Sequence, residues 1–423
     1  DWRDVLYDEN GKVICPKPTA NFLPGCWQAG VIIQERCLKE GESQRECNKR
    51  AEEARKNYAA AGNAGQATIL NEDPSEWLDS NQCQDCFLPV FNLKPKGSAQ
   101  YILALRNFDP LDTTERFKFG FIGSSDTHSA RPGNGYKDIK RLDFTDASGP
   151  TESAGFIFGF NEGEGVYGKS TPKNYTRDTL PPGPLEVDRL MSYFYTGGLI
   201  ATHSNDKTRE SIWRSLKNKE VYATSGPRIL LWFDLINGPE GLLPMGSETS
   251  LKESPRFMVR AIGSFEQKPG CPNYALNALG EDKIRHLCKN ECYNPSDIRR
   301  EIERIEIVKI LPQEYEDEPL DSLIIDPWKT FKCNGTEECI VTFSDSDFES
   351  NKRDALYYAR AIERQTKAVN ANNLRCERDN FGRCMEVDIC YGSPLQTPRE
   401  EDCLGNVQER AWSSPIFVDF KKY

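Results

Sequence analysis

The chain has 423 residues, 28% of them charged, and a formal net charge of -11. That balance argues against a phosphate-backbone partner, since nucleic-acid binders present a basic face, and no nucleic acid is expected. The longest apolar run, Ile229 to Phe233, is strand-sized and far short of the ~20 residues a membrane span needs, so no span is expected either.

The first 25 residues are turn-rich, with Pro16, Pro18, Pro24 and Gly25. From Trp27 to about Lys39 the apolar spacing (Val31, Ile32, Cys37, Leu38) is helical, and Gly41 ends it. Ser43-x-x-Glu46 reads as a capping box opening a second helix through to Ala61, and Cys37 and Cys47 flank the turn closely enough to bridge the two helices. A third helix fits Ser98 to Asn107.

A run with Phe117, Phe119 and Phe121 at alternate positions follows and ends in Ser124-Ser125-Asp126-Thr127-His128. Residues i and i+2 of an extended segment point the same way, so Asp126 and His128 can face one ion. The chain has three histidines, so one placed here is unlikely filler, and the stretch reads as a strand delivering two metal-type ligands to a rim. Helix, loop, then apolar strand with polar ligands at its C-terminal end is the grammar of a β/α barrel. The bland alternative is a polar turn in which Asp126 caps the next segment. Ser124 and Ser125 suit substrate contacts better than nucleophile roles, since no Ser-His-Asp logic surrounds them.

Arg131 to Pro184 is rich in Gly, Pro, Asn and Thr and reads as a pocket-shaping loop. Gly197 to His203 reads as a strand and Thr208 to Lys217 as a helix, with Asn205 or Asp206 available as N-cap. His203 can point into the same cleft as His128, as a ligand or proton shuttle, or be an ordinary hydrogen-bonded histidine at a strand end. Lys207 and Arg209 can hold an anionic group at the helix N-terminus, exposed charge being the plainer reading.

After Tyr222 to Pro227 the grammar changes. Arg228 to Leu235, Arg256 to Ile262, Ile302 to Ile310, Cys339 to Phe343, Ala355 to Ile362 and Ala411 to Phe420 are strand-like, and long Cys/Pro/Asn loops separate them. The expected architecture is α/β plus β: a barrel portion over 1–226 and a disulfide-stapled β-sandwich over 227–423. Arg228, at the junction, can grip a phosphate or carboxylate in a bidentate way or form a structural salt bridge.

Fifteen cysteines are grouped in the flanks, with none between 87 and 270, which fits disulfides in an exported protein, periplasmic or secreted. The chain starts at Asp1 without Met, so a removed signal peptide is expected. The odd total leaves one thiol buried and free or paired outside this sequence. Cys83-x-x-Cys86 as a redox pair, and Cys271, His286, Cys288 and Cys292 as a zinc knot, are both weaker readings than structural disulfides. Asn174-Tyr175-Thr176 and Asn334-Gly335-Thr336 are glycosylation sequons, a signal that also arises by chance.

Phe119 to His128 resembles domain-of-unknown-function family 3604, a relative of the PHP (polymerase and histidinol phosphatase) metallohydrolases. Gly197-Gly-Leu199, Thr208-Arg-Glu-Ser-Ile-Trp213, Val221 to Arg228, Leu356-Tyr-Tyr-Ala-Arg360 and Glu409-Arg-Ala-Trp-Ser-Ser-Pro415 carry the resemblance over nearly the whole chain. The resemblance implies a PHP-like β/α barrel in which Asp126 and His128 are the last Asp-x-His ligand pair. Such proteins open with His-x-His, which this chain lacks, so it resembles their C-terminal portion. The rest of the site is then expected from an N-terminal segment or partner chain of the same precursor. The expected activity is that of an exported metal-dependent hydrolase, most readily a phosphoesterase of a small anionic substrate, using divalent Zn, Mn or Fe. His203 would then act in catalysis, with Lys207, Arg209, Arg228, Ser124 and Ser125 contacting substrate, and a homo-oligomer is allowed. The alternative is a non-catalytic extracellular binding or assembly protein on a degenerate barrel.

Overall fold

The computed structural model describes residues 25–65, 98–109, 116–124, 198–368 and 404–421, with short pieces at 15, 17, 78–79, 92–93, 137, 139, 168–170, 376–378, 380, 384–387, 398 and 400–402. Two compact units divide the chain, the first built from Asp1–Pro95, Asp138–Tyr195 and Lys367–Val407, the second from Lys96–Lys137, Thr196–Thr366 and Gln408–Tyr423. The sequence boundary at 226/227 therefore falls inside the second unit.

In the first unit, α1 (Gly25–Lys39) and α2 (Gln44–Gly65) form a hairpin. Ser43 Oγ accepts the Glu46 amide at 3.3 Å, one half of a capping box, while the Glu46 carboxylate turns to Arg50 at 3.1 Å. Cys37–Cys47 ties the helices together as their spacing implied, and Cys15–Cys26 anchors the entry to α1. Among the described residues the buried side chains of the hairpin are small: Cys26, Cys37, Cys47, Ala51 and Ala54. Short antiparallel pairs complete what is described, β1 (Leu78–Asp79) with β2 (Asn92–Leu93) and β16 (Cys376–Arg378) with β17 (Cys384–Val387). Where the chain enters this unit, β15 (Thr366–Ala368) pairs with β18 (Gly405–Val407).

The second unit is a two-sheet sandwich with a third layer. The larger sheet runs β12 (Ile324–Thr336), β11 (Ile302–Ile310), β14 (Ala355–Glu363), β19 (Arg410–Ser413), β4 (Val221–Thr224) and β3 (Leu199–Thr202). β20 (Ile416–Phe420) also pairs with β14, and in parallel with β7 (Glu248–Leu251). The smaller sheet runs β13 (Glu338–Ser344), β8 (Arg256–Ile262), β5 (Leu230–Gly238) and β6 (Gly241–Pro244). β9 (Phe265–Gln267) and β10 (Pro295–Arg299) form a separate pair beside two short helices, α5 (Asn273–Leu279) and α6 (Glu281–Cys288).

Strict alternation explains the layering. On β5 and β8, Leu231, Phe233, Leu235, Phe257, Val259 and Ala261 point inward, and Tyr357, Ala359 and Ala361 of β14 meet them. Leu356 and Tyr358 point to the other face, where Val308, Ile310 and Phe417 join them under α3 (Ala99–Ala104). β14 is thus buried on both faces, which is why it reads as a continuous apolar run.

The β/α-barrel expectation is not met among the described residues. No strand ladder closes, and β3 and β4 pair antiparallel in the sheet that also holds β14 and β19. The strand–helix–strand pattern from 199 to 224 encodes local periodicity, and local periodicity does not fix pairing direction. The molecule is a mixed α/β protein with mostly antiparallel sheets and disulfide-bonded cysteines.

Candidate functional site

Residues 116–124 join no strand ladder, and side chains fasten them instead. Arg116 pairs with Asp354 at 3.6 Å and with Asp419. Lys118 reaches Asp419 at 3.1 Å and Glu248 at 3.2 Å. Phe119 and Phe121 pack into the apolar layer over the larger sheet, Phe121 edge-on to Tyr358 at 5.1 Å. Between them and β4 stands buried Ser414, whose Oγ accepts the Phe121 amide at 3.0 Å and donates to the Val221 carbonyl at 2.6 Å.

Two glycines set where the segment ends. A Cβ on Gly123 would stand 2.8 Å from the Leu199 carbonyl oxygen and 3.1 Å from that of Thr224, and one on Gly198 would collide with the Ser124 backbone. Close backbone approach needs Gly at both places. Ser124 is thereby delivered beside the start of β3 and the end of β4, where the Ser225-Gly226-Pro227 turn begins. Asp126, His128 and Ser125 lie outside the described residues.

That turn is held rigidly. Ser225 N donates to the Arg410 carbonyl at 2.9 Å, Ser225 Oγ donates to the Glu409 carboxylate, and Gly226 N donates to Thr224 Oγ1 at 3.2 Å. Arg228 leaves the turn exposed, its guanidinium 3.7 Å over the Tyr293 ring. Among the described contacts of Arg228 a cation–π stack stands in place of the structural salt bridge that the sequence also allowed.

His203 sits at the opposite end of β3, five residues beyond Gly198, roughly 16 Å away at the usual strand rise. Its amide donates to the Glu220 carbonyl at 3.0 Å, and its own carbonyl accepts Ser215 Oγ at 2.5 Å. Nε2 lies 2.7 Å from the Leu231 carbonyl oxygen. A carbonyl can only accept, so Nε2 carries the hydrogen of this bond and Nδ1 is the nitrogen left for other partners. The imidazole lies 5.5 Å from the rings of both Tyr222 and Trp232. Asp234 shares the β5 face of Trp232. Burial pushes its carboxyl up, with His203 opposing the shift. The Tyr222 hydroxyl donates to the Ile229 carbonyl at 3.1 Å and is pushed up to about 12 by burial, so it stays a phenol at neutral pH.

This His203–Asp234–Trp232–Tyr222 nook escaped the sequence reading. The signal for it was the alternation Leu230, Trp232, Asp234 on β5, which puts a carboxylate on the face opposite the core.

The helix α4 (Arg209–Lys217) is capped by Thr208, whose hydroxyl accepts the Ser211 amide at 3.3 Å, rather than by Asn205 or Asp206. Asp206 instead accepts the Thr208 amide (2.8 Å) and hydroxyl (2.5 Å), bonds that hold its carboxyl below the usual range. Lys207 and Arg209 flank the cap and are exposed. The zinc-knot reading falls, because Cys271 bonds Cys292 and Cys288 is a free thiol.

Among the described residues, no three or more His, Cys, Asp or Glu side chains converge as metal ligands do. Asp126 and His128, the ligand pair read from the sequence, lie outside that set.

Residues 108–234 match the model of a family described as protein of unknown function (DUF3604). The match takes in the Phe117–His128 stretch, β3, α4, β4 and the first part of β5. An uncharacterized protein of Chlamydia pneumoniae is 42% identical over 65 residues, which is 15% of this chain and 10% of that protein. No solved structure matches.

Proposed function

We propose that this chain carries one ligand corner of an exported metal-dependent hydrolase of PHP type, most readily a phosphoesterase, completed by a further segment or partner chain. The observation that carries the reading is the fastening of residues 116–124. Ion pairs, two partly buried phenylalanines and paired glycines bring Ser124 to a fixed point two residues before Asp126. Fixed delivery is what a ligand pair needs, since a metal site tolerates little positional error. Asp and His are borderline donors suited to Zn, Mn or Fe, and such an ion would activate water and neutralise developing charge when bound. The chain's own part is to position: Ser124 and Ser125 beside the ligands, and the Arg228 fork for an anionic group. His203, at the far end of β3 from Ser124, would serve as a proton carrier through Nδ1 only for a substrate that extends along that strand, with Asp234 beside it. Lys207 and Arg209 contribute positive charge near the α4 N-terminus. Four disulfides among the described residues support an oxidising compartment, periplasmic or extracellular.

A second reading, a non-catalytic binding or assembly protein, is favoured by the lack of a converging ligand set among the described residues. Hydrolysis of a generic phosphomonoester by protein purified with whatever chain accompanies it, compared with Asp126→Ala, separates the two. Loss of hydrolysis in the variant supports the enzyme, and equal hydrolysis, or none in either, supports the binding protein.

A further inference from the structure

The smaller sheet meets the larger one at a stapled corner. β12 pairs with β11 at Lys332↔Arg304 and again at Thr336↔Ile302, so Cys333, Asn334 and Gly335 oppose the single residue Glu303. They form a bulge, closed by Cys333–Cys339 onto β13. Gly335 has φ +67°, a conformation that favours glycine, and Asn334 is exposed. Its side-chain amide hydrogen-bonds to no described residue.

From this geometry we infer that Asn334-Gly335 is a site of self-deamidation, a covalent modification that needs water alone. The Gly335 amide nitrogen, once its proton passes to solvent base, forms a bond to Asn334 Cγ. The Cγ–Nδ2 bond breaks and the amide leaves as ammonia, taking a proton from solvent. Water then opens the five-membered imide at either carbonyl, leaving aspartate or isoaspartate. One water enters, one ammonia departs, and nothing is oxidised or reduced. Glycine matters because it has no side chain to shield the attacking nitrogen.

The chain carries its own control. Asn237-Gly238 has the same dipeptide, but Asn237 Nδ2 donates to Glu253 Oε1 at 3.3 Å and to the Ser254 carbonyl at 3.1 Å. Its Oδ1 accepts the Arg256 amide at 2.7 Å. Those bonds must break before the ring can close, so Asn237 is held unreactive. The product is a new carboxylate at exposed position 334, next in the chain to Gly335, where a Cβ would stand 3.3 Å from Glu301 Oε2 and 3.4 Å from Arg364 Nη2. The change therefore adds negative charge one residue away from the glycine that approaches the Arg364–Glu301 pair, whose partners lie 2.7 Å apart.

The test is incubation of the intact, disulfide-bonded protein at mildly alkaline pH, followed by peptide mapping with isoaspartate detection. Aspartate and isoaspartate should accumulate at 334 roughly tenfold or more faster than at 237, given the hydrogen bonds that must break there. Asn334→Gln should remove the signal while thermal unfolding confirms an intact fold. Equal rates at the two positions, an unchanged Asn334, or a glycan on Asn334 blocking its amide would overturn the inference.

Discussion

Glu363 shows what a single buried group does to this fold. Its side chain is fully buried, accepts the Ser264 amide at 2.6 Å, and has Arg300 only as near as 3.8 Å. Burial pushes its carboxyl above the ordinary 4.5. The folded state thus keeps the proton to higher pH than the unfolded chain does. The stability this contributes is complete below 4.5 and is lost as pH rises through the raised folded value. Glu363→Gln keeps the acceptor and removes the charge. It should raise stability at pH 7 by about 1 kcal/mol and flatten the pH dependence of the melting temperature. A variant less stable at pH 7 would show that the Arg300 attraction outweighs burial. At His203, a change to Ala removes the bond to Leu231 and should cost about 1 kcal/mol in denaturant unfolding. If His203 also moves protons, hydrolysis should fall far more than stability does, with an altered pH profile. A purely structural histidine would leave the activity of the folded fraction unchanged.

Ser414, between two strands, governs how the 116–124 segment is held. β19 and β20 read as one strand from Ala411 to Phe420, but Ser414-Pro415 breaks the run and frees Ser414 to bond both Phe121 and Val221. Ser414→Ala takes away the acceptor of the partly buried Phe121 amide, while the Val221 carbonyl keeps the Ser414 backbone amide at 3.2 Å, so the loss is about 1 kcal/mol. Hydrogen exchange at the Phe121 amide should quicken well beyond that at the sandwich core; unchanged exchange would show that packing of Phe119 and Phe121 suffices. Elements like these differ in how legible they are. Arg256–Ile262 and Ile302–Ile310 stand where their apolar runs put them, the first with one face in the core and the second feeding both apolar layers. Ile324–Thr336 went unread, since Pro327, Lys329, Lys332 and Asn334-Gly335 look like loop. The helices Asn273–Leu279 and Glu281–Cys288 also escaped, each too short to show a period and split by Gly280 at φ +77°. For the candidate site, the sequence singled out His203 and the Phe117–Ser124 run. It could not foresee the Asp234 and Trp232 contacts, which depend on strand pairing from distant segments.

Across the molecule, the two units draw on different sources of stability. In the second, Phe233, Phe257 and Tyr357 are fully buried and packed ring to ring, at 5.4 Å and 4.7 Å between centroids. Fully burying such side chains contributes ~1.5–3 kcal/mol each. Among the described side chains the α1–α2 hairpin buries little beyond alanine and cysteine, so Cys37–Cys47 and Cys15–Cys26 do what a core would, each worth about 3 kcal/mol for loops this short. Reduction should therefore erase helical circular dichroism from the hairpin well below the temperature at which the sandwich melts. A single coincident transition under reducing conditions would contradict this division.

The proposed role turns on Asp126 and His128 binding a divalent ion in the assembled protein. Elemental analysis for Zn, Mn and Fe on natively purified wild type and Asp126→Ala, matched by intact mass, tests it most directly. The account predicts one of these metals in the wild type and roughly tenfold or greater loss of it in the variant. Equal metal in both proteins, or none in either, would contradict it.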